Sequence, residues 1–242
     1  MLQPPAPAPQ VPTEARLLPL DRFTGSLGQR VYQTLREAIL SLAYRPGEIL
    51  RKPEICEALG VSRSPVADAV ARLAAEGLVD VIPQAGTFVA RFSMEEIREG
   101  AFLREAIEVA AIERVARTIT EEQLTQLRRN LTVQAALIAD GDIPGFYQTD
   151  AAMHELLLSF TGFRRLAQVS ETAWLHVNRA RQLILPVPGR VEATLEEHRT
   201  ILAALEARDA EAARAAIRAH LRQLITYLEP LERDRPDLFD PA

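Results

Sequence analysis

The sequence predicts a mainly α-helical protein of two domains. The first contains short helices and a hairpin, and the second is an all-helical bundle of about six helices. Residues 25–92 carry the Gly, Pro and β-branched residues that separate short elements, whereas residues 93–230 form a run of long amphipathic helical patterns. Aromatic residues make up only 5% of the chain, which argues against a β-sandwich or barrel.

The first domain begins with a helix over residues 27–42, whose apolar residues recur on one face. Pro53 opens a second short helix, and Gly60 ends it. Ser62 is the expected N-cap of a third helix that runs to about Glu76. The tight turn between the second and third helices is typical of a helix-turn-helix.

A hairpin is expected directly after the third helix. Residues 78–82 and 87–90 have the composition of two short strands, and the turn between them ends at Gly86. Three short helices followed by a hairpin predict a winged helix-turn-helix domain over residues 25–92.

The second domain is expected over residues 93–232, followed by a tail over 233–242. Ser93 with Glu96, and Thr120 with Gln123, have the spacing of capping boxes at the starts of its first two helices. Short breaks between the helices predict antiparallel neighbours in a compact bundle. The predicted helices span residues 94–117, 120–139, 143–160, 163–184, 190–207 and 209–228.

The overall composition excludes several classes of protein. With 48% hydrophobic and 25% charged residues, the chain is neither wholly disordered nor collagen-like. One Cys cannot form an internal disulfide, and no stretch reaches the ~18 apolar residues of a membrane span. We expect a cytoplasmic protein with no membrane partner. Residues 1–24 begin Pro-rich without the features of a signal peptide, which predicts a flexible arm.

The segment Gly60-Val-Ser-Arg-Ser-Pro-Val66 has the chemistry of a DNA-recognition helix. Arg63 could donate two hydrogen bonds to guanine in the major groove, and the hydroxyls of Ser62 and Ser64 suit phosphate. A helix cap alone would explain these serines, but the joint pattern over about 65 residues favours DNA binding. The remaining predicted contacts are Arg45, Arg51 and Lys52 for phosphate, and Gly86 with Thr87 on the wing.

The net charge of −5 does not exclude DNA, because the two domains differ. Residues 1–93 hold 10 Lys and Arg against 9 Asp and Glu, whereas residues 94–242 hold 18 against 24. The first domain is therefore nearly neutral, which predicts modest non-specific affinity for DNA.

Four residues of the second domain form a candidate metal site. His198 and His220 fall on the inward faces of their helices, and Asp150 and His154 share one face at a spacing of four residues. A single inward His is more often a core residue. Three inward histidines and a carboxylate would carry a large desolvation cost if they shared no partner. We therefore expect one divalent metal ion per chain. Zn²⁺ is favoured, with Ni²⁺, Co²⁺ or Mn²⁺ as alternatives; the phase of His176 is ambiguous.

Five segments of the chain match a known family: Leu35-Arg-Glu-Ala-Ile-Leu, Tyr44-Arg-Pro-Gly-Glu-Ile-Leu50, Leu59-Gly-Val-Ser-Arg-Ser-Pro-Val66, Arg72-Leu-Ala-Ala-Glu-Gly-Leu-Val79 and Gly86-Thr-Phe-Val89. On these segments the chain resembles the GntR family of bacterial transcription regulators, and its second half resembles the FCD effector domain of the FadR/VanR subfamily. The resemblance covers nearly all of the chain after residue 25.

The resemblance implies a homodimeric regulator that binds an inverted-repeat operator in double-stranded DNA, with repression as the expected effect. It also implies that Asp150, His154, His198 and His220 hold the metal. Ala67 and Ala85 stand where Arg is usual in the family, so this chain lacks contacts that its relatives use.

A small carboxylate or hydroxy acid is the effector that the resemblance implies. Arg104-x-x-x-Glu108 matches a family motif, and a buried Arg can grip a carboxylate through two parallel hydrogen bonds. An ion pair of Arg104 with Glu108 within the helix is an equal alternative. Asn178 and Arg181 are weaker candidates for the same pocket.

Two other functions are compatible with a site of three histidines and one aspartate, written His3Asp. One is a metal-dependent hydrolytic enzyme, but no further general base stands at a motif spacing, so we do not expect an enzyme. The other is a regulator whose metal is purely structural.

Overall fold

The computed structural model describes residues 13–240, apart from the side chains of residues 167, 168, 171 and 172. The chain divides between Arg91 and Phe92 into two compact units. Among the described residues, no helix combines the length and hydropathy that crossing a membrane requires.

The first unit contains the predicted helices and hairpin. Its elements are α1 (Thr13–Arg16), α2 (Leu27–Leu40), α3 (Lys52–Leu59), α4 (Arg63–Ala75), β1 (Val79–Ile82) and β2 (Gly86–Val89). The helix α2 packs against α4, and both bury their apolar faces completely at Val31, Leu35, Val66 and Leu73. The strands pair antiparallel with Val79 opposite Val89 and Ile82 opposite Gly86. This is a winged helix-turn-helix.

The turn between α3 and α4 depends on Gly60. Its φ of 62° lies in the left-handed region, which an L side chain rarely adopts, and its N–H closes the last turn of α3. Ser62 occupies the N-cap of α4 as expected, but its hydroxyl accepts no hydrogen bond from that helix. The prediction of the cap position is correct, and the expected side-chain bond is not formed.

Residues 13–24 are not a flexible arm, so that prediction is wrong for this segment. Leu17 is 8% exposed, and the carbonyl of Leu18 accepts a hydrogen bond from the Thr34 hydroxyl at 2.8 Å. Arg16 forms an ion pair with Glu48. Burial of Leu17 and these polar contacts offset the entropy that an arm would keep. The Pro-rich residues 1–12 lie outside the described residues.

The second unit is all-helical within the described residues. Its helices are α5 (Met94–Thr118), α6 (Glu121–Ala139), α7 (Ile143–Ser159), α8 (Leu166–Ala173), α9 (Leu175–Ile184), α10 (Arg190–Glu206) and α11 (Ala210–Asp234). The predicted helix over 163–184 is interrupted at Trp174, where ψ is 8°, so the bundle has one helix more than expected. The Thr120–Gln123 capping box is complete, and the Ser93 hydroxyl accepts from the N–H of Glu96.

The core of the bundle contains a large aliphatic cluster. The contacts of α11 with α5 and α10, and of α6 with α7 and α10, enclose a cluster of buried residues. Fully buried members include Leu127, Met153, Ile201, Leu205 and Ile217. This packing fixes the inward faces of α5, α7, α10 and α11 toward a common interior.

The described part of the expected tail, up to Asp240, packs against the second unit. Phe239 is 3% exposed and its ring centroid lies 5.7 Å from that of Phe92, the first residue of the second unit. The N–H of Phe92 donates to the carbonyl of Leu238 at 3.0 Å, and the guanidinium of Arg179 lies 4.5 Å from the Phe92 ring centroid. The C-terminal segment and α9 thus hold the start of the second unit.

Replacing Gly100 should test the packing of α5 on α9. A Cβ at Gly100 would lie 2.9 Å from Cγ2 of Val177 and 3.1 Å from the carbonyl oxygen of Ala173. We expect Gly100→Ala to lower the free energy of unfolding by about 1–2 kcal/mol, because overpacking outweighs the gain in helix propensity. Urea unfolding would measure it. Gly28→Ala, which meets nothing within 4 Å, should instead raise stability by about 0.5–1 kcal/mol. Equal effects of the two changes would contradict this packing.

Candidate functional site

The N-terminus of α4 presents the predicted DNA-contacting residues to solvent. Val66, Val70 and Leu73 bury the opposite face, which leaves Ser62, Arg63 and Ser64 exposed. Because the Ser62 hydroxyl takes no N–H of the first turn, those donors are available to an acceptor from outside, such as a phosphate oxygen.

A second group of predicted DNA contacts lies around one concave surface. Arg51, Lys52, Gly86 and Thr87 line a surface cleft of about 380 Å³, and Arg45 is exposed on the preceding loop. Arg51 also forms an ion pair with Glu54, whose carboxylate lies 3.5 Å away. Thr87 is only 5% exposed because alternate β2 residues face inward, so its prediction as a DNA contact is not supported.

The four predicted metal ligands meet at one point in the second unit. Asp150 and His154 lie on α7, His198 on α10 and His220 on α11. One ligand atom from each lies within 4.8 Å of all the others, and every side chain is buried. The structure therefore brings together all four residues that the helical phases selected.

Each imidazole is oriented by an acceptor at its Nδ1. Nδ1 of His154 lies 2.6 Å from Oε2 of Glu108, and Nδ1 of His220 lies 2.6 Å from Oε2 of Glu197. For His198 the acceptor is an amide, Oε1 of Gln134, at 2.8 Å. Since a neutral imidazole has one N–H, a proton held at Nδ1 leaves the lone pair on Nε2, which faces the centre of the cluster. Glu108, Gln134 and Glu197 were not singled out as site residues from the sequence.

The inner atoms of the cluster lack ordinary partners. Nε2 of His154 and Nε2 of His220 are 3.2 Å apart. Nε2 of His198 and Oδ1 of Asp150 are 3.5 Å apart, and neither has a hydrogen-bond partner among the described residues. Lone pairs that face one another in a buried site repel unless a cation lies between them. Two nitrogens bound to one Zn²⁺ at about 2.1 Å would be about 3–3.4 Å apart, so the separation of the His154 and His220 nitrogens fits such an ion.

Burial keeps the imidazoles in the neutral form that binds metals. Desolvation lowers the pKa of His154 despite the nearby Glu108 carboxylate, and it lowers the pKa of His220 to about 4. Desolvation and the neighbouring imidazoles hold the pKa of His198 well below its usual range. Burial opposes ionisation of Glu108, but the charge of Arg104 and the contact with His154 outweigh it and lower its pKa.

Each carboxylate of the site also pairs with an arginine. Arg104 Nε donates to Glu108 Oε1 at 2.6 Å. This is the ion pair within the helix that the sequence offered as the alternative for Arg104. Arg181 pairs with Asp150. Two further hydrogen bonds, at 2.6 and 2.9 Å, join Arg190 to Glu197. Two of these pairs continue to Nδ1 of a histidine and form the chains Arg104–Glu108–His154 and Arg190–Glu197–His220, whereas Asp150 of the third pair faces Nε2 of His198 at 3.5 Å.

A cavity of about 30 Å³ adjoins the cluster formed by Asp150, His154, His198 and His220. Arg104 and Arg181 line it as predicted, together with Arg190, which sequence reasoning missed. The residues that line it are Arg104, Asp150, Arg181, Ile184, Leu185, Arg190, Thr194, His220, Leu221 and Leu224. Arg190 and Glu197 are seven residues apart, which places both on one face of α10. This spacing was the signal in the sequence that could have pointed to Arg190.

Two other predicted or ambiguous residues lie outside this arrangement. Asn178 does not line the cavity; its carbonyl accepts a hydrogen bond from the Tyr147 hydroxyl at 2.8 Å. His176 lies 3.6 Å from a carboxylate oxygen of Glu96 and does not belong to the cluster of candidate metal ligands. The four histidines of the chain recur every 22 residues, but only three of them meet in this cluster.

Comparison with known proteins agrees with both units. The family described as bacterial regulatory proteins of the gntR family matches residues 27–89, and the FCD domain matches residues 99–223. The HTH-type transcriptional repressor RspR of Escherichia coli (strain K12) is 32% identical over 216 residues, which cover 89% of this chain and 95% of that protein.

Solved structures of similar proteins share the fold. A putative GntR transcriptional regulator from Rhodococcus sp. RHA1 has a TM-score of 0.73 and 26% identity, covering 84% of this chain and 99% of its own. McbR/YncC of E. coli also has a TM-score of 0.73, at 22% identity, over 86% of this chain and 99% of its own. The matched families and relatives are transcriptional regulators rather than enzymes. The chain belongs to the GntR family of bacterial transcriptional regulators and carries a C-terminal FCD domain.

Proposed function

We propose that this regulator represses transcription as a homodimer on an inverted-repeat operator. We further propose that its FCD domain holds one divalent ion, Zn²⁺ in the first place, and that a small carboxylate or hydroxy acid bound beside the ion changes its affinity for the operator. The observation that carries the proposal is the convergence of three Nε2 atoms and Asp150 on one buried point.

The support for a metal comes from the surroundings of the ligands as much as from the ligands. Histidine ligands in metal sites ordinarily donate their second N–H to a carboxylate or carbonyl, and His154, His198 and His220 all have such an acceptor. The His3Asp set suits Zn²⁺, with Ni²⁺, Co²⁺ and Mn²⁺ as alternatives. When bound, the ion would supply a Lewis-acidic position for an oxygen of the effector.

The cavity supports an effector rather than a purely structural metal. A structural site is ordinarily closed by protein ligands, whereas this cluster opens onto a cavity lined by Arg104 and Arg181. Guanidinium groups match carboxylates in shape and charge. The cavity therefore offers a position for a further ligand beside the four metal-binding residues.

Coupling to DNA requires only that the effector bind one arrangement of the domains better than another. The exposed Arg63 and the open N-terminus of α4 support reading of the major groove, with Arg45, Arg51 and Lys52 on phosphates. Two such helices in a dimer would read half-sites about 34 Å apart, one turn of DNA. Repression is supported by the name of RspR, and homodimerisation by the symmetry of such operators.

Metal analysis tests the centre of the proposal. Purified protein reconstituted with Zn²⁺ and dialysed should contain about one ion per chain by elemental analysis. His198→Ala with His220→Ala should abolish this content, because two of the four ligands are lost. His176→Ala is the matched control, since His176 lies outside the metal-binding cluster, and it should retain the ion. Wild-type protein without a tightly held ion would contradict the proposal.

Loss of Arg63 tests the DNA-binding surface. Arg63→Ala should weaken binding to a duplex selected by the wild-type protein from a random pool by about 1–3 kcal/mol, because one bidentate base contact is lost. Fluorescence anisotropy at fixed salt would measure it. Arg129→Ala removes the same charge from an exposed position on α6 and should leave operator affinity unchanged. Equal affinity of Arg63→Ala and wild type would contradict the role of α4.

A further inference from the structure

Three arginines surround the cavity, and each is already neutralised by its own carboxylate. Arg104 pairs with Glu108, Arg181 with Asp150 and Arg190 with Glu197. All three arginines are at most 7% exposed. The guanidinium and carboxylate charges therefore cancel within the buried site.

The divalent ion of the proposed function would leave this site with two positive charges. The three imidazole ligands are neutral when they bind a metal, so they add no charge. An uncompensated charge is expensive to bury. A ligand with two negative charges would restore neutrality, whereas a ligand with one would leave half of the excess charge in place.

Arg190 provides an independent indication of a second acidic group. Its two Nη atoms are used by Glu197, but its Nε is buried without a hydrogen-bond partner among the described residues. The residue is 4% exposed and lines the cavity. A buried donor without a partner favours a ligand that brings an acceptor. Asp150 and His220 line the same cavity, so one ligand can reach both Arg190 and the metal-binding cluster.

The size of the cavity limits the ligand. About 30 Å³ is room for about two water molecules, so even a compact acid requires the surrounding side chains to move, and a long or branched acid requires more movement. The apolar side chains of Ile184, Leu185 and Leu224 line the rest of the cavity and suit a short hydrocarbon backbone.

We propose that the effector is a compact dicarboxylate and that Arg190 determines specificity for its second carboxylate. This inference rests on the proposed function, because it requires both a bound divalent ion and an acidic effector at the same site. It goes further by naming the charge of the ligand and the residue that selects it.

Paired ligands that differ only in one charge test this inference. Zn²⁺-loaded full-length protein should bind malonate at least tenfold more tightly than its monoamide malonamate, and succinate more tightly than succinamate, by titration calorimetry at mildly alkaline pH. Metal content measured after each titration controls for removal of the ion by the acid. Equal affinity within both pairs, or binding of neither dicarboxylate by the loaded protein, would overturn the inference.

Substitution of Arg190 tests its role in selection. Arg190→Gln removes the free Nε donor and one positive charge, so the preference for malonate over malonamate should fall at least tenfold. The double variant Arg190→Gln/Glu197→Gln keeps the charges balanced and leaves His220 an amide acceptor like the one Gln134 offers to His198. Its preference should lie between those of wild type and Arg190→Gln. A wild-type preference in either variant would overturn the role of Arg190.

The outcomes also separate this inference from the proposed function. Retention of Zn²⁺ and of Arg63-dependent operator binding, without any preference for the dicarboxylate, overturns the inference alone. Failure of the wild-type chain to retain the ion overturns both.

Discussion

The second unit is organised around three imidazoles whose Nδ1 atoms are all tied to acceptors in its interior. Glu108, Gln134 and Glu197 turn the lone pairs of His154, His198 and His220 toward one point. A buried polar group is tolerated only when its hydrogen bonds are made, so each imidazole requires its acceptor and each carboxylate requires its arginine. The positions of α5, α6, α7, α10 and α11 are constrained together by these contacts.

This constraint explains why the bundle combines an aliphatic core with a charged centre. Leu127, Met153 and Ile217 supply apolar burial beside the cluster, while the arginine–carboxylate–histidine chains cross from helix to helix. Charges that would be unfavourable singly are offset in pairs, whereas Nε2 of His198, Oδ1 of Asp150 and Nε of Arg190 have no hydrogen-bond partner among the described residues. The contacts that compensate the buried charges also orient the imidazoles toward the centre of the cluster.

In the first unit the division between structure and recognition is simpler. Val66 and Leu73 fix α4 by apolar burial alone, and Gly60 permits the turn that aims its N-terminus outward. The N-terminus of α4 lies at the surface, where Ser62, Arg63 and Ser64 are exposed. The near-neutral charge of this unit then makes specific contacts more important than general attraction to phosphate.

The sequence by itself determined most of the elements and the four candidate ligands, because helical periodicity fixes which side of a helix each residue faces. It did not determine the acceptors at Nδ1 or the role of Arg190, since these depend on which helices become neighbours. Glu108 and His154 are 46 residues apart, and Gln134 and His198 are 64 apart. The packing of segment 13–24 and the burial of Thr87 were not predicted for the same reason. Neither the composition of a segment nor a position beside a turn shows which residues will pack over it. Only the tertiary structure decided those contacts, because burial brings together side chains from helices that sequence spacing does not relate.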